Sequence, residues 1–402
     1  MNYPYEWSEM ALQEIAILAR GKFSARPRND PKFFGGEIPF VQTGDVRKAR
    51  VDLKEYSQTL NEAGLRVSKL FPKGTLLFTI AANIGEVAFL SFDGACPDSL
   101  VAINPKSGVS ARWLYYQLGF LQPSFEAAAT QNAQLNINLE KLNPFRIPVP
   151  PFKEQEAIAG ALADADALIE GLARLIVKKR LIKHGAMQDL LTAKRRLPGF
   201  SGEWQPLNLA SLSHLKARIG WQGLTTQEYR KFGEHILVTG TDIIAGHVNW
   251  RGCVFVDKWR FDQDRNIQLR EGDILLTKDG TIGKVARVSN MPGPAALNSG
   301  VFVIRPKNGD YHPGFAFHIL ASAVFGDFLA KLTAGSTIVH LYQKDLMTFE
   351  FFAPDYEEQK AISDVLDDMD AEIQALETRL EKARQVKEGM MQNLLTGRIR
   401  LV

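Results

Sequence analysis

Residues 354–396, PDYEEQKAISDVLDDMDAEIQALETRLEKARQVKEGMMQNLLT, decide the architecture, because residues 150–192, PPFKEQEAIAGALADADALIEGLARLIVKKRLIKHGAMQDLLT, repeat them without a gap at an offset of 204. In the later copy Ile362, Leu366, Met369, Ile373, Leu376, Leu380, Ala383, Lys387, Met390 and Leu394 fall in alternating steps of four and three, the heptad seam of a coiled coil. The earlier copy places Ile158, Leu162, Ala165, Ile169, Leu172, Ile176, Lys179, Lys183, Ala186 and Leu190 on the same seam, which turns polar toward its far end in both. Each copy reads as a helix of about 40 residues, ~60 Å long at 1.5 Å per residue. Pro150 and Pro151 set one start, Asp355 and Glu358 have capping-box spacing at the other, and Gly397 after Thr396 supplies a stop. Apolar stripes of this length need a partner along their whole course, so the two helices are expected to pair with each other. Only Leu197 to Gly202 separates the first helix from the next segment, so the second helix is expected to return antiparallel to it.

Working outward, the repeat extends through both halves. Glu6-Trp7 returns as Glu203-Trp204, and Val41-Gln-Thr-Gly-Asp45 as Val238-Thr-Gly-Thr-Asp242, both at an offset of 197. Gly74-Thr-Leu-Leu-Phe-Thr79 answers Gly272-Asp-Ile-Leu-Leu-Thr277, and Ile84-Gly85 answers Ile282-Gly283, at an offset of 198. Order and spacing kept through so many matches mark a duplicated unit. Short apolar runs such as 74–79, 87–91 and 100–103 read as strands between Gly, Pro and Asp turns, and Arg112–Leu121 and Pro313–Phe328 read as helical patches. The expected fold class is α+β: two pseudo-symmetric globular modules, 1–150 and 199–353, joined by two long antiparallel helices, 151–198 and 354–402, in a coiled coil.

Bulk composition bounds this reading. The 402 residues suffice for two or three domains with their own cores. With 45% apolar and 23% charged residues, the chain has the composition of a folded protein. A formal net charge of +3 permits nucleic-acid binding without arguing for it. Cys96 and Cys253 lack neighbours at metal-ligand spacing and suggest a reducing, cytoplasmic setting, and the opening residues do not resemble an export signal.

Between the copies the polar loops differ, and side chains that discriminate bases belong there. In the first module these are Thr43, Asp45, Arg47, Lys48 and Arg50, then Asn83, then the amide-rich run with Asn132, Gln134 and Asn136. Their counterparts are Thr239, Thr241 and Asp242, then Lys278, Asp279 and Thr281, then Ser336, Thr337, His340 and Tyr342. Amides pair bidentately with adenine, Lys and Arg with guanine or phosphate, and Asp accepts from cytosine. The plain alternative for each is a solvated turn residue. Basic clusters at Lys178-Lys179-Arg180 with Lys183, and at Lys194-Arg195-Arg196, suit phosphate, a partner protein or a solvated helix face.

Catalytic signatures fail on inspection. Val149 stands where the Pro-Pro-Phe loop of an amino-methyltransferase needs a polar side chain, and Gly280 to Val285 lacks the first glycine and the hydroxyl of a phosphate loop. Asp355, Glu358 and Lys360 mimic a nuclease triad, but the carboxylates sit at a helix start. No cofactor and no metal site are expected.

This tandem of variable module and copied helix, with Pro-x-x-x-Glu-Gln at 150–155 and 354–359, Leu-Leu-Thr at 190–192 and 394–396, and Gly335 to Leu341, resembles the specificity subunit of type I restriction-modification systems. The resemblance spans nearly the whole chain, although 131–139 departs from the family pattern in the first module. It implies a non-catalytic subunit whose modules each read one half of a split, asymmetric site in double-stranded DNA, with the helices setting the unread gap. It also implies as partners two modification (methyltransferase) subunits and ATP-dependent restriction (translocase/nuclease) subunits, and no membrane. The rival reading is a scaffold whose modules bind proteins.

Overall fold

The computed structural model describes residues 4–131, 135–219, 223–333 and 340–401. By compactness the chain divides into two units, residues 1–173 with 378–402 and residues 174–377. The division runs through the middle of both long helices, Phe152–Leu190 and Tyr356–Leu394, each 39 residues long.

In the first unit an antiparallel sheet runs Ala16–Arg20, Leu100–Pro105, Leu76–Thr79, Val87–Leu90, with Asp52–Leu53 added parallel at the edge. The second unit repeats it as Ser213–Ala217, Val301–Pro306, Ile274–Thr277, Val285–Arg287. Register is copied: Leu76 faces Phe89 as Ile274 faces Arg287. Gly74 and Gly272 precede the central strand in the left-handed region, at φ 84° and 85°, where a side chain would be strained. A two-stranded pair closes each module, Ser8–Ala11 with Arg146–Val149 and Gln205–Asn208 with Glu350–Ala353, and delivers the chain to its long helix.

One sheet face packs on a helix, Ala111–Phe120 in the first unit and Pro313–Leu320 in the second. Leu76, Phe78, Ile103, Trp113 and Phe125 form the first core, joined by Ile158, Leu162, Leu394 and Leu395 from the two long helices. Ile274, Leu276, Phe302, Phe315 and Phe325 form the second, joined by Leu190, Leu191, Ile362 and Leu366. Both helices therefore contribute to both cores. Every seam residue is buried or half-buried: Ile158, Leu162, Leu172, Ile176, Ile362, Leu366, Ile373 and Leu380 are buried, and Ile169 and Leu376 half-buried.

Ion pairs fix the direction of pairing within each unit. In the first, Lys387 meets Asp166 at 2.6 Å and Arg400 meets Glu154 at 2.5 Å. In the second, Lys183 meets Asp370 at 2.5 Å, Lys179 meets Glu372 at 2.6 Å, and Arg196 meets Glu358 at 2.5 Å. Numbers rise on one helix as they fall on the other, so the helical segments run in opposite senses. At 204 residues' separation Ala193 and Gly397 end the two helices in the same left-handed conformation, φ 58° and 71°. Alanine is strained there by roughly 1–2 kcal/mol relative to glycine.

Candidate nucleic-acid interface

The first candidate loop is built alike in both modules. Asp45 accepts from the Gln42 amide at 2.8 Å and from the Ser57 hydroxyl at 3.0 Å. Asp242 accepts from the Thr239 amide at 2.8 Å and from the Thr239 hydroxyl at 2.8 Å. Both carboxylates are buried and engaged within their own turns. Thr43 opens a short helix, Thr43–Lys48, seated by Val46 against Leu77, Ala88 and Leu90. Lys48 and Arg50 are exposed and line a cleft of about 420 Å³ with Lys54, Tyr56 and Glu170. In the second module the Thr239 and Thr241 hydroxyls lie 2.7 Å apart.

A threonine at the end of the central strand shapes the second loop. Thr79 donates to the Asn83 carbonyl and accepts from the Glu86 amide at 3.0 Å. Thr277 donates to the Thr281 carbonyl at 2.6 Å and accepts from the Lys284 amide at 2.9 Å. Asn83 and Thr281 therefore occupy matching places, although their side chains differ.

The third candidate segment joins the second by a matching isolated bridge, Ala81 to Asn136 in one module and Asp279 to His340 in the other. Matching amides reinforce it: Ile137 donates to the Ile80 carbonyl at 3.0 Å and Leu341 to the Lys278 carbonyl at 2.9 Å. What this shared backbone carries is unlike. The first module presents the exposed amide of Asn136. The second presents an ionic cluster, His340 Nδ1 at 2.5 Å from Asp279 and Lys278 at 3.5 Å from the same carboxylate, with the Tyr342 ring 6.0 Å from the imidazole. Asn132, Gln134, Ser336 and Thr337 lie outside the described residues.

Sequence reasoning missed the residues that anchor the helices. Buried Glu154 accepts from the Trp7 indole at 3.0 Å and from Arg400 Nε at 2.5 Å. Buried Glu358 receives both Nε and Nη2 of Arg196. Gln155 accepts from the Ser110 amide and Gln359 from the His312 amide, each at 2.8 Å, so the Glu-Gln motif fastens helix to module. Asp355 caps the Glu358 amide at 2.9 Å, but the Glu358 carboxylate turns to Arg196 instead of closing a capping box. Of the basic clusters, Lys179, Arg180, Lys183 and Arg196 are engaged in ion pairs. Arg218 was also missed. It is buried, donates to the Leu297 carbonyl at 3.0 Å, and stands where the first module has Gly21, whose Cβ would meet Pro97 O at 2.2 Å.

His318, Asp367 and Asp370 offer ligand atoms within 4.8 Å of one another. The donor set does not suit a metal, because Arg287 holds Asp367 at 2.8 Å and Lys183 holds Asp370 at 2.5 Å, leaving both carboxylates already charge-matched. Burial would raise the Asp367 carboxyl, but the hydrogen bond from His318 and the Arg287 guanidinium together hold it down at about 2. Burial pushes the His318 imidazole below its usual value, outweighing the carboxylate beside it.

The family described as type I restriction modification DNA specificity domain matches residues 4–178 and 224–385. The chain belongs to this family. It is a specificity subunit of a type I restriction-modification system, a non-catalytic component that recognises DNA target sites. It is 26% identical over 420 residues to the type I restriction enzyme MjaVIII specificity subunit of Methanocaldococcus jannaschii, covering 100% of this chain and 95% of that one. The EcoR124I/EcoR124II specificity subunit of Escherichia coli is 28% identical over 167 residues, 39% of this chain and 41% of the relative. The fold is that of the type I S subunit from M. genitalium, with a TM-score of 0.63 at 16% identity over 98% of this chain and 96% of that one. Nothing in these matches supports a protein-binding scaffold. Among the described residues of the specificity subunit no single helix is long and apolar enough to cross a membrane; a bent pair, Pro313–Leu320 with Ala323–Leu332, passes by composition, but Phe315, Ile319 and Phe325 within it are core residues.

Proposed function

We propose that the modules 1–150 and 199–353 read the two halves of an asymmetric, bipartite site in double-stranded DNA through the major groove, while the helices 151–198 and 354–402 form an antiparallel coiled coil that fixes the gap. The observation that carries this reading is the matched bridge, Ala81 to Asn136 and Asp279 to His340, where one backbone presents an amide in one module and a Lys-Asp-His cluster in the other. Shared backbone with unlike donors and acceptors is what reading two different base sequences requires. Thr43, Lys48, Arg50, Asn83, Asn132, Gln134 and Asn136 serve one half-site. Thr239, Thr241, Lys278, Thr281, His340 and Tyr342, with Ser336 and Thr337, serve the other. Asp45, Asp242 and Asp279 shape these surfaces and accept from cytosine where an oxygen remains free.

Two modification (methyltransferase) subunits assemble on the chain to methylate adenine in the cytoplasm, and ATP-dependent restriction (translocase/nuclease) subunits join them. Helices ~60 Å long leave room for half-sites one turn, about 34 Å, apart. Selection of bound duplexes from a random library by the assembled complex is expected to return a two-part motif. Exchanging residues 1–150 for another family member's module should then change one half alone, and a change in both would refute modular reading.

A further inference from the structure

Just ahead of the loop that carries Thr43 and Asp45, the strand Phe34–Phe40 contributes to a cleft of about 370 Å³ in the first unit. That volume lies within the ~300–1,000 Å³ usual for small-molecule sites. Phe23, Phe34 and Phe40 line its apolar side, with ring centroids 5.0–6.2 Å apart. Phe23 and Phe40 are buried, whereas Phe34 is half-buried, which leaves it the ring that a guest can reach. Gln42 and Gln58 line the polar side. Gln42 Nε2 donates to Gln58 Oε1 at 3.1 Å, and among the described residues the remaining Gln42 Oε1 and Gln58 Nε2 have no partner. Arg28 also borders the cleft, paired with Asp98 at 2.8 Å.

The neighbouring turn does not account for these amides. Asp45 takes a hydroxyl hydrogen bond from Ser57, whereas in the second unit Thr239, at the place of Gln42, turns its own hydroxyl to Asp242 at 2.8 Å. Ser57 thus frees position 42 for a side chain directed at the cleft. The charge around it is one-sided as well. Residues 20–73 carry twelve Lys and Arg against six Asp and Glu, while the matching residues 217–271 carry eight against seven. Such a surplus favours a guest that bears phosphate. An apolar peptide side chain would satisfy the rings but leave both amide groups facing nothing. A nucleobase satisfies both sides, because its face stacks on an aromatic ring while its edge offers donors and acceptors. A free amide oxygen beside a free amide nitrogen matches the exocyclic amine and adjoining ring nitrogen of adenine.

We propose that this cleft is a nucleobase-binding site, in which an unstacked base lies on Phe34 and meets Gln42 and Gln58 at its edge. The base belongs to a strand opened beside the first half-site or to a free nucleotide; the recognising chemistry is the same. The site adds to reading through the major groove and does not depend on it.

The full chain is titrated by fluorescence anisotropy with two labelled duplexes that differ only in one unpaired adenine, and by calorimetry with dAMP. The duplex with the unpaired adenine should bind more tightly by about fivefold or more. Gln42→Ala with Gln58→Ala should abolish that preference. Phe34→Leu, which removes the stacking face and keeps an apolar side chain, should do the same, and circular dichroism checks that each variant is folded. Binding of dAMP without a preference for the unpaired adenine, lost in both variants, would assign the site to a free nucleotide. A preference or dAMP affinity that survives in either folded variant, or a wild-type chain that shows neither, overturns the proposal. If the wild-type chain binds dAMP through these residues but no duplex, the duplex-reading proposal fails and the nucleobase site stands.

Discussion

Replacing Asp367 by asparagine removes a charge that ties three elements of the second unit together. One carboxylate oxygen accepts from His318 Nε2 at 2.8 Å and the other pairs with Arg287 at 2.8 Å, so the long helix, the helix Pro313–Leu320 and the strand Val285–Arg287 meet there. A carboxyl held at about 2 in the folded chain and at its ordinary 3.8 when unfolded contributes roughly 2–3 kcal/mol near neutrality. The side chain is 28% exposed, and solvent screening lowers that to roughly 2 kcal/mol. The folded value is the lower one, so the unfolded chain binds more protons between 3.8 and about 2, and the contribution is lost as pH falls through that window. His318 is also held below its ordinary 6.5, so the unfolded chain takes up its proton first and stability begins to decline below 6.5. Urea unfolding followed by tryptophan fluorescence and circular dichroism, fitted as one transition per unit, should show Asp367→Asn less stable by roughly 2 kcal/mol at pH 7. The gap should close toward pH 2. A difference below about 0.5 kcal/mol at pH 7, or one of equal size at pH 7 and pH 2.5, would refute the linkage argument.

Arg196→Ala should destabilise the second unit more than Arg400→Ala destabilises the first, because Glu154 keeps the Trp7 indole while Arg196 supplies both side-chain hydrogen bonds to Glu358; adding Glu358→Gln should recover part of the Arg196 loss, and equal melting shifts would contradict this ranking. Leu172→Asp with Leu376→Asp should abolish site-specific binding in a fluorescence anisotropy titration before circular dichroism records unfolding of either module, whereas intact binding would show the seam misassigned. Adding about one heptad to both helices lengthens them by ~10 Å and should widen the unread gap by roughly three base pairs, as read by library selection. A constant gap would show that the helices are not the ruler.

The helices were legible because a heptad pattern is local: every residue of the seam from Ile158 to Leu190 and from Ile362 to Leu394 is buried or half-buried. The direction of pairing was also written in the chain, although the expectation came from connection length. The first helix is acidic early, with Glu154, Asp164, Asp166 and Glu170, and basic late, with Arg174, Lys178 to Arg180 and Lys183, while the second begins with Asp364, Asp367, Asp370 and Glu372. Antiparallel pairing sets the late basic stretch against the early acidic one; parallel pairing would oppose acid to acid. The role of the Glu-Gln motif was not legible, since Arg196 and Arg400 lie 162 and 246 residues from their carboxylates. Nor did spacing reveal which loops meet. The bridge from Ala81 to Asn136 crosses the strand Leu100–Pro105 and the helix Ala111–Phe120, and sheet register is set by such distant pairings.

The interleaving of the two units has a bearing on synthesis. Residues 378–402 bring Arg400 to Glu154 and Leu394 and Leu395 into the core of the first unit, whereas the second is one continuous stretch, 174–377. On a ribosome the earliest-made strands therefore stay unfinished while the later-made unit closes, reversing the usual amino-to-carboxyl order. A product that ends at residue 377 therefore carries the whole of the second unit but a first unit that lacks Leu394, Leu395 and Arg400.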